Sequence, residues 1–295
     1  MNDFFIFVNP FAGNGKPLKI LPVVERILKK KSKKVESYIL KIKDDKEYVK
    51  KALMQALSNK IRNFICLGGD GTLNILIQEL VKEEGITVGI LPVGSGNDMA
   101  RALGFSSSFS ENEIEKLVEG ERKFIDIGIC NGRYFCNSLG IGFDAKVASD
   151  YNRSPFLKGK AKYLLQIFKN ILFYNSENME IPGFLERQKV FLISIGNGKS
   201  SGGGIPLTKE AKLDDGMLDV CIIKEANILQ RIQNLAKGLK GKHLDLPFVK
   251  YFKTKALKII TEEEVTFHID GEIFKGKIFD VSILPKKLKV IFAKN

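Results

Sequence analysis

The 295-residue sequence contains no apolar stretch approaching the roughly twenty residues that a helix needs to cross a bilayer. Any membrane contact is therefore expected at the surface. Cysteine and histidine are scarce, at four and two residues. Cys66, Cys130, Cys136 and Cys221 are scattered, three of them inside apolar runs, with neither CxxC spacing nor a partnering histidine. That pattern argues against a zinc site and fits buried, reduced thiols in a cytoplasmic protein. Acidic residues are the minority charge, 34 Asp plus Glu against 47 Lys plus Arg, for a formal net charge of +13. Such a surplus attracts polyanions or an anionic membrane surface. Yet Lys29-Lys30-Lys31 and Lys33-Lys34 fall at the end of an expected helix, where cations are favoured, so a solvated lysine face explains them equally well. No nucleic-acid-binding module is recognisable, and no nucleic-acid partner is expected. Phe4-Phe5-Ile6-Phe7-Val8 is too short for a signal-peptide core and runs into a turn at Asn9-Pro10, so it reads as a buried strand. Internal repeats and low-complexity linkers are absent as well.

What is present is first a regular alternation. Strands are expected at Phe4 to Val8, Val35 to Ile42, Asn63 to Leu67 and Thr87 to Leu91. Helices are expected at Leu18 to Lys34, Lys46 to Leu57, Asn74 to Glu83, Asn97 to Leu103 and Glu111 to Glu119. Apolar strands alternating with amphipathic helices imply a mostly parallel sheet covered on both faces. From Lys123 onward shorter β-type segments dominate: Phe124 to Ile129, Tyr134 to Leu139, Val190 to Gly196, Leu218 to Ile223, Ala256 to Thr261, Val265 to Ile269 and Leu288 to Phe292. The reading is a two-domain α/β protein. A three-layer α/β nucleotide-binding domain spans 1–122 and a mainly-β sandwich or barrel-like domain spans 123–295, with the active site in the cleft between them and the last strand able to pack back on the first domain.

Three glycine-bearing turns follow the first, third and fourth strands: Asn9 to Lys16, Gly68 to Asn74, and Pro92 to Asp98. Ligands of parallel sheets bind at that end. In Gly68-Gly69-Asp70-Gly71-Thr72-Leu73-Asn74 the glycines allow backbone N–H groups to approach an anion, and the helix that follows adds its positive end. Asp70 would sit beside phosphate, which favours chemistry over storage. Two nucleotide fingerprints fail: the Walker-type ending Gly198-Lys199-Ser200 has Ile193 where a glycine is required, and Gly13-Asn14-Gly15 has Leu18 where a third dinucleotide glycine would stand.

Taken together these turns resemble the diacylglycerol kinase-like lipid kinase family, which includes bacterial soluble lipid kinases and sphingosine kinases. The resemblance rests on Val8-Asn9-Pro10 with Gly13, on Gly68 to Asn74, on Leu91-Pro92 with Gly94-Ser95-Gly96-Asn97-Asp98-Met99-Ala100-Arg101, and on Gly140-Ile141-Gly142-Phe143-Asp144-Ala145. Gly202-Gly203-Gly204, Ala211 to Asp219 and Ile269-Asp270-Gly271-Glu272 extend it over nearly the whole chain. It implies an ATP-dependent lipid kinase acting on diacylglycerol or a similar lipid alcohol. Asn9, Pro10, Phe11, Ala12, Gly13 and Lys16 would form a first nucleotide loop, Gly68 to Asn74 would hold phosphates, and Ser95 and Asn97 would add contacts. Asn97 can equally cap the helix that begins there. Asp215, with the carbonyls of Lys212 and Met217, would hold a structural Mg2+, while a second Mg2+ travels with ATP. Glu272 would be the base, with Asp270 and Asp70 positioning magnesium and hydroxyl, and Asp70 the rival base.

Asp270 and Glu272 flank Gly271 at the end of an expected strand, where alternate residues would share a face; a plain turn is the other reading. His268 is expected to face the core or a neighbouring strand, without a catalytic role. Phe156 to Tyr174 mixes Lys158, Lys160, Lys162 and Lys169 with nine apolar residues, a composition suited either to an anionic bilayer surface or to packing on the second domain. The expected partner is a lipid substrate at a membrane surface, reached peripherally during catalysis, and a homodimer is compatible with the fold class. The competing readings are an NAD kinase and a non-catalytic, nucleotide-responsive membrane-binding protein.

Overall fold

The computed structural model describes residues 4–42, 46–106, 108–153 and 159–294, without the side chains of Gly159 and Lys160. The chain divides into two compact units, Met1–Ile125 with Lys286–Asn295, and Asp126–Pro285.

In the first unit the order is β1 (Phe4–Val8), α1 (Lys16–Lys30), β2 (Val35–Ile39), α2 (Lys46–Ser58), β3 (Asn63–Gly68), α3 (Asp70–Leu80), β4 (Thr87–Pro92), α4 (Asp98–Ala102) and α5 (Glu111–Glu119). The strands are parallel in the order β4-β3-β1-β2. Every residue of β1 and β4 is buried, as a sheet covered on both faces requires. Helix α1 buries Pro17, Leu21, Val24 and Leu28, one face at helical spacing. Val8 lies opposite Leu67, and Gly68 opposite Pro92, so the three loops leave the sheet side by side at its carboxyl edge.

The second unit is an antiparallel β-sandwich. Its elements are β5 (Glu121–Cys130, which starts in the first unit), β6 (Arg133–Phe135), β7 (Ser138–Gly142), α6 (Phe143–Arg153), α7 (Gly159–Phe173), β8 (Glu177–Ile181), β9 (Leu185–Gly196), β10 (Leu218–Lys224), α8 (Ile228–Leu239), β11 (Val249–Thr254), β12 (Ala256–Ile269) and β13 (Glu272–Phe292). The order β11-β10-β9-β7-β12-β13 encloses a core that includes Phe135, Ile141, Ile193, Val220, Phe267 and Phe279. The last residues of β13 run parallel to β4, Lys289 opposite Thr87.

Several expectations shift. The expected strand Tyr134 to Leu139 is broken into β6 and β7, because the N–H groups of Cys136, Asn137 and Ser138 turn to a carboxylate rather than to a ladder. The two short strands at 256–261 and 265–269 are one long strand, β12, interrupted by a bulge between Ile260 and Val265. The expected strand at 288–292 is the end of a 21-residue β13. Strands β8 and β11 and helices α6 and α8 were not anticipated. All four cysteines are free and buried, and burial pushes the Cys130 thiol up to about 12.

Phe135 is fully buried and lies across Gly128, where a Cβ would overlap its ring. Phe135→Ala is expected to destabilise the second unit by about 3–5 kcal/mol, read as a lower urea midpoint at unchanged slope.

Candidate active site

The three loops of the first unit hold one another through backbone and short polar contacts. Gly13 adopts φ +52°, and a Cβ there would overlap the Val93 carbonyl. Gly69 and Gly94 face each other so closely that a Cβ on either would press on the other's main chain. Here the glycines serve loop-to-loop contact. Asn9 Nδ2 donates to Thr72 Oγ1 at 3.0 Å, and its Oδ1 accepts the Phe11 N–H at 3.0 Å. Phe11, Lys16 and Ser95 are exposed, and Lys16 is the first residue of α1.

Helix α3 begins at Asp70, not near Asn74, so Asp70 to Leu73 form its first turn and the phosphate-type loop shortens to its two leading glycines. Asp70 accepts the N–H of Asp98 through Oδ2 and of Met99 through Oδ1, both at 3.1 Å. It therefore caps α4, the task expected of Asn97. Asn97 itself sits at φ +55° with its side chain folded back on Gly94, donating to the carbonyl and accepting the N–H at 2.9 Å each. Asp98, given no role from sequence, is buried and paired with Arg101 at 2.5 Å.

In the second unit Asp270 and Glu272 are not alternate residues of one strand. Strand β12 ends at Ile269, which pairs with Glu272, and Asp270 (φ +47°) and Gly271 (φ +87°) are the two-residue turn between them. Two central residues at positive φ make a type I′ hairpin, the turn for which Asp-Gly is a preferred pair. The buried Asp270 carboxylate accepts three main-chain N–H groups, from Cys136 through Oδ2 at 2.9 Å and from Asn137 and Ser138 through Oδ1 at 3.0 and 2.9 Å. His268 is buried, as expected, against Asp144, with Nε2 to Oδ2 at 3.0 Å.

Asp144 also borders an apolar pocket of about 730 Å³, mouth included, whose walls include Val147, Tyr163, Ile167, Phe191, Leu192 and Leu235. Helix α7 turns Tyr163, Ile167 and Ile171 into this wall and leaves Leu165, Phe168, Leu172 and Phe173 exposed, Phe173 at 77%. Lys162 is buried with its ammonium over the Tyr151 ring, so it does not face solvent. Of the basic amphipathic stretch expected there, Phe156, Leu157 and Lys158 lie outside the described residues, as does the side chain of Lys160.

The loop at Lys212 to Met217 closes on Asp126, whose Oδ2 accepts the Gly216 N–H at 2.6 Å. Asp126 is fully buried and was missed from sequence, where it looked like one more residue of a β-strand. Asp215 accepts the Met217 N–H at 3.1 Å and pairs with Lys253 at 2.7 Å; Lys253 also reaches Asp219 at 3.3 Å. Lys253 stands directly opposite Asp219 in the β10–β11 ladder, so the sheet itself delivers the ammonium. Among the described residues no group of three or more metal-ligating side chains assembles. At the expected Mg2+ loop of Lys212, Asp215 and Met217, the Asp215 carboxylate is paired with the Lys253 ammonium, which a bound cation would have to share or displace. Burial raises the pKa of Asp219, against the hydrogen bond from Tyr251 and the charge of Lys253.

Residues 3–130 match the diacylglycerol kinase catalytic domain, and residues 137–292 match the YegS C-terminal NAD kinase beta sandwich-like domain. The chain belongs to the diacylglycerol kinase-like lipid kinase family. It is 30% identical over 225 residues to the diacylglycerol kinase of Bacillus subtilis (strain 168), covering 75% of this chain and 74% of that one. It is 27% identical to the diacylglycerol kinase of Staphylococcus carnosus (strain TM300), covering 90% and 87%. A solved diacylglycerol kinase structure from Bacillus anthracis str. Sterne shares the fold, with a TM-score of 0.72 at 23% identity and coverage of 99% and 97%. Membership of this lipid kinase family implies ATP as phosphate donor. No described helix is long and apolar enough to cross a membrane.

Burial pulls the Lys253 ammonium down, but the hydrogen bond to Asp215 and the charges of Asp219 and Asp215 outweigh it and hold its pKa above the ordinary 10.5. A folded-state pKa above the unfolded one stabilises below the unfolded value and is lost as pH rises through the folded value. Lys253→Met is therefore expected to lower the melting temperature by the same amount across pH 7 to 9, roughly the plateau this linkage requires, with the deficit shrinking only in strong alkali. A deficit that changes between pH 7 and 9 would contradict the assignment.

Proposed function

We propose that the protein transfers the γ-phosphate of MgATP to the hydroxyl of diacylglycerol or a related lipid alcohol. Membership of the family supports phosphoryl transfer to a lipid. The observation that carries the choice of acceptor is the apolar pocket of the second unit, which suits an acyl chain and offers little to a nucleotide. Its border residue Asp144 is one hydrogen bond from His268, two residues before the turn that leads to Glu272.

In this reading the loops at Asn9 to Lys16, Gly68 to Asn74 and Ser95 to Asn97 bind the nucleotide, with backbone N–H groups and the first turn of α3 toward phosphate. Lys16 adds positive charge. Glu272 takes the hydroxyl proton as general base. Asp70 and Asp270 are positioning residues, because each already holds main-chain N–H groups. The magnesium in this scheme enters with ATP as part of the donor. The acceptor is taken from a membrane surface: the outward faces of α7 and α8 carry Leu165, Phe168, Leu172, Leu229 and Ile232 exposed, beside Lys169 and Lys237. That composition supports peripheral contact.

The NAD kinase reading draws support from the sandwich matched at residues 137–292, so NAD is the control acceptor. The test is transfer of labelled γ-phosphate to a lipid panel in mixed micelles with NAD alongside. Lipid labelling is expected, with none of NAD. Ile167→Trp, which fills the pocket, is expected to lower lipid kcat/KM by about 10-fold or more while leaving the ATP KM unchanged. Glu272→Gln is expected to lower kcat by about 10²- to 10⁴-fold, the range for loss of a general base. Labelled NAD, or a pocket variant that acts on lipid as well as the wild type, would sink the proposal.

A further inference from the structure

A chain of buried polar contacts runs behind the catalytic turn and is unused by the reaction as so far described. His268 lies opposite Gly140 in the β12–β7 ladder. A Cβ at Gly140 would overlap both Asp144 Oδ2 and His268 Nε2, so glycine is what leaves room for the two side chains to meet. Their contact is 3.0 Å, with both residues buried. On the other side of the ring, the Gly271 N–H donates to His268 Nδ1 at 3.4 Å. A ring whose Nδ1 accepts this N–H carries its proton on Nε2, toward Asp144. Tyr163 Oη donates to Asp144 Oδ1 at 3.3 Å.

We propose that the His268–Asp144 pair is a positioning device for Glu272, acting through the main chain at Gly271. The two common forms of a two-residue hairpin turn differ by a flip of the central peptide, here Asp270–Gly271, which reverses the direction of the Gly271 N–H. Asp270 is fixed by its three N–H donors, and Glu272 is fixed at its backbone by pairing with Ile269. The peptide between them is what the His268 ring holds. Asp144 and Tyr163 aim that ring, and both also border the apolar pocket, so the same cluster registers the acceptor end against the base. The inference rests on Glu272 being the base.

The experiment compares His268→Phe, His268→Asn and Glu272→Gln in the lipid kinase assay. His268→Phe is expected to lower kcat about 10- to 100-fold with both KM values within two-fold, as expected when a group is mis-aimed rather than removed. The Oδ1 of His268→Asn falls near the Nδ1 position and can accept the Gly271 N–H, so this variant is expected to recover much of the loss. Wild-type turnover in His268→Phe beside an inactive Glu272→Gln would overturn the inference alone. An active Glu272→Gln would instead overturn the reading it rests on. Independently of variant folding, long-range 1H–15N spectra of the wild type should show the His268 proton on Nε2, and a protonated Nδ1 would overturn the proposal.

Discussion

Three backbone N–H groups converge on one buried carboxylate, that of Asp270, and much of the second unit's form follows from this. Those donors belong to Cys136, Asn137 and Ser138, the residues at which β6 gives way to β7. Without an acceptor they would be buried and unsatisfied, at roughly 1–3 kcal/mol each. With Asp270 in place the strand can break, β7 can pair with β12, and the β12–β13 turn is fixed relative to both. Hydrogen bonds to a charged acceptor contribute about 1.5–3 kcal/mol each, so the set dominates its surroundings. The side chain that looks catalytic in the sequence is first an anchor.

Asp70 plays the same part in the first unit. Its carboxylate spans the entry of α4, while Asn9 and Thr72 join the first loop to the second and glycine faces glycine between the second and third. Three loops leaving adjacent parallel strands would otherwise be independently mobile. Cross-linked in this way, they are held as one unit, and in the proposed reaction such preorganisation is the form in which electrostatic stabilisation of a transferring phosphoryl group is most effective.

The alternation of strands and helices in the first 120 residues was legible because each period is strong and the strands β1, β3 and β4 are buried on both faces. The motif residues were legible too, but their local geometry was not. The expected start for α3 near Asn74 is too late, because Asp70 and Thr72 are good first-turn residues and the helix starts among them. Asp270-Gly271 was placed in a strand by alternation, although the pair is also a two-residue hairpin signal, and that local chemistry prevailed. Asp126, Asp144 and Lys253 were out of reach because their partners lie 90, 124 and 38 residues away, set by strand register that one sequence does not reveal. The length of β13 was hidden by its exposed Lys275, Lys277 and Asp280, which suit the open face of an antiparallel strand.

The division of labour among the acidic residues follows from counting acceptor sites. An ionised carboxylate offers about four lone-pair directions. Asp270 gives three to main-chain donors, and Asp70 gives two to α4. Protonating either aspartate would remove the charge that strengthens the main-chain hydrogen bonds it accepts. Glu272 begins β13, where its backbone is held by strand pairing with Ile269. In the proposed reaction the proton therefore goes to Glu272, and the architecture stays with the two aspartates.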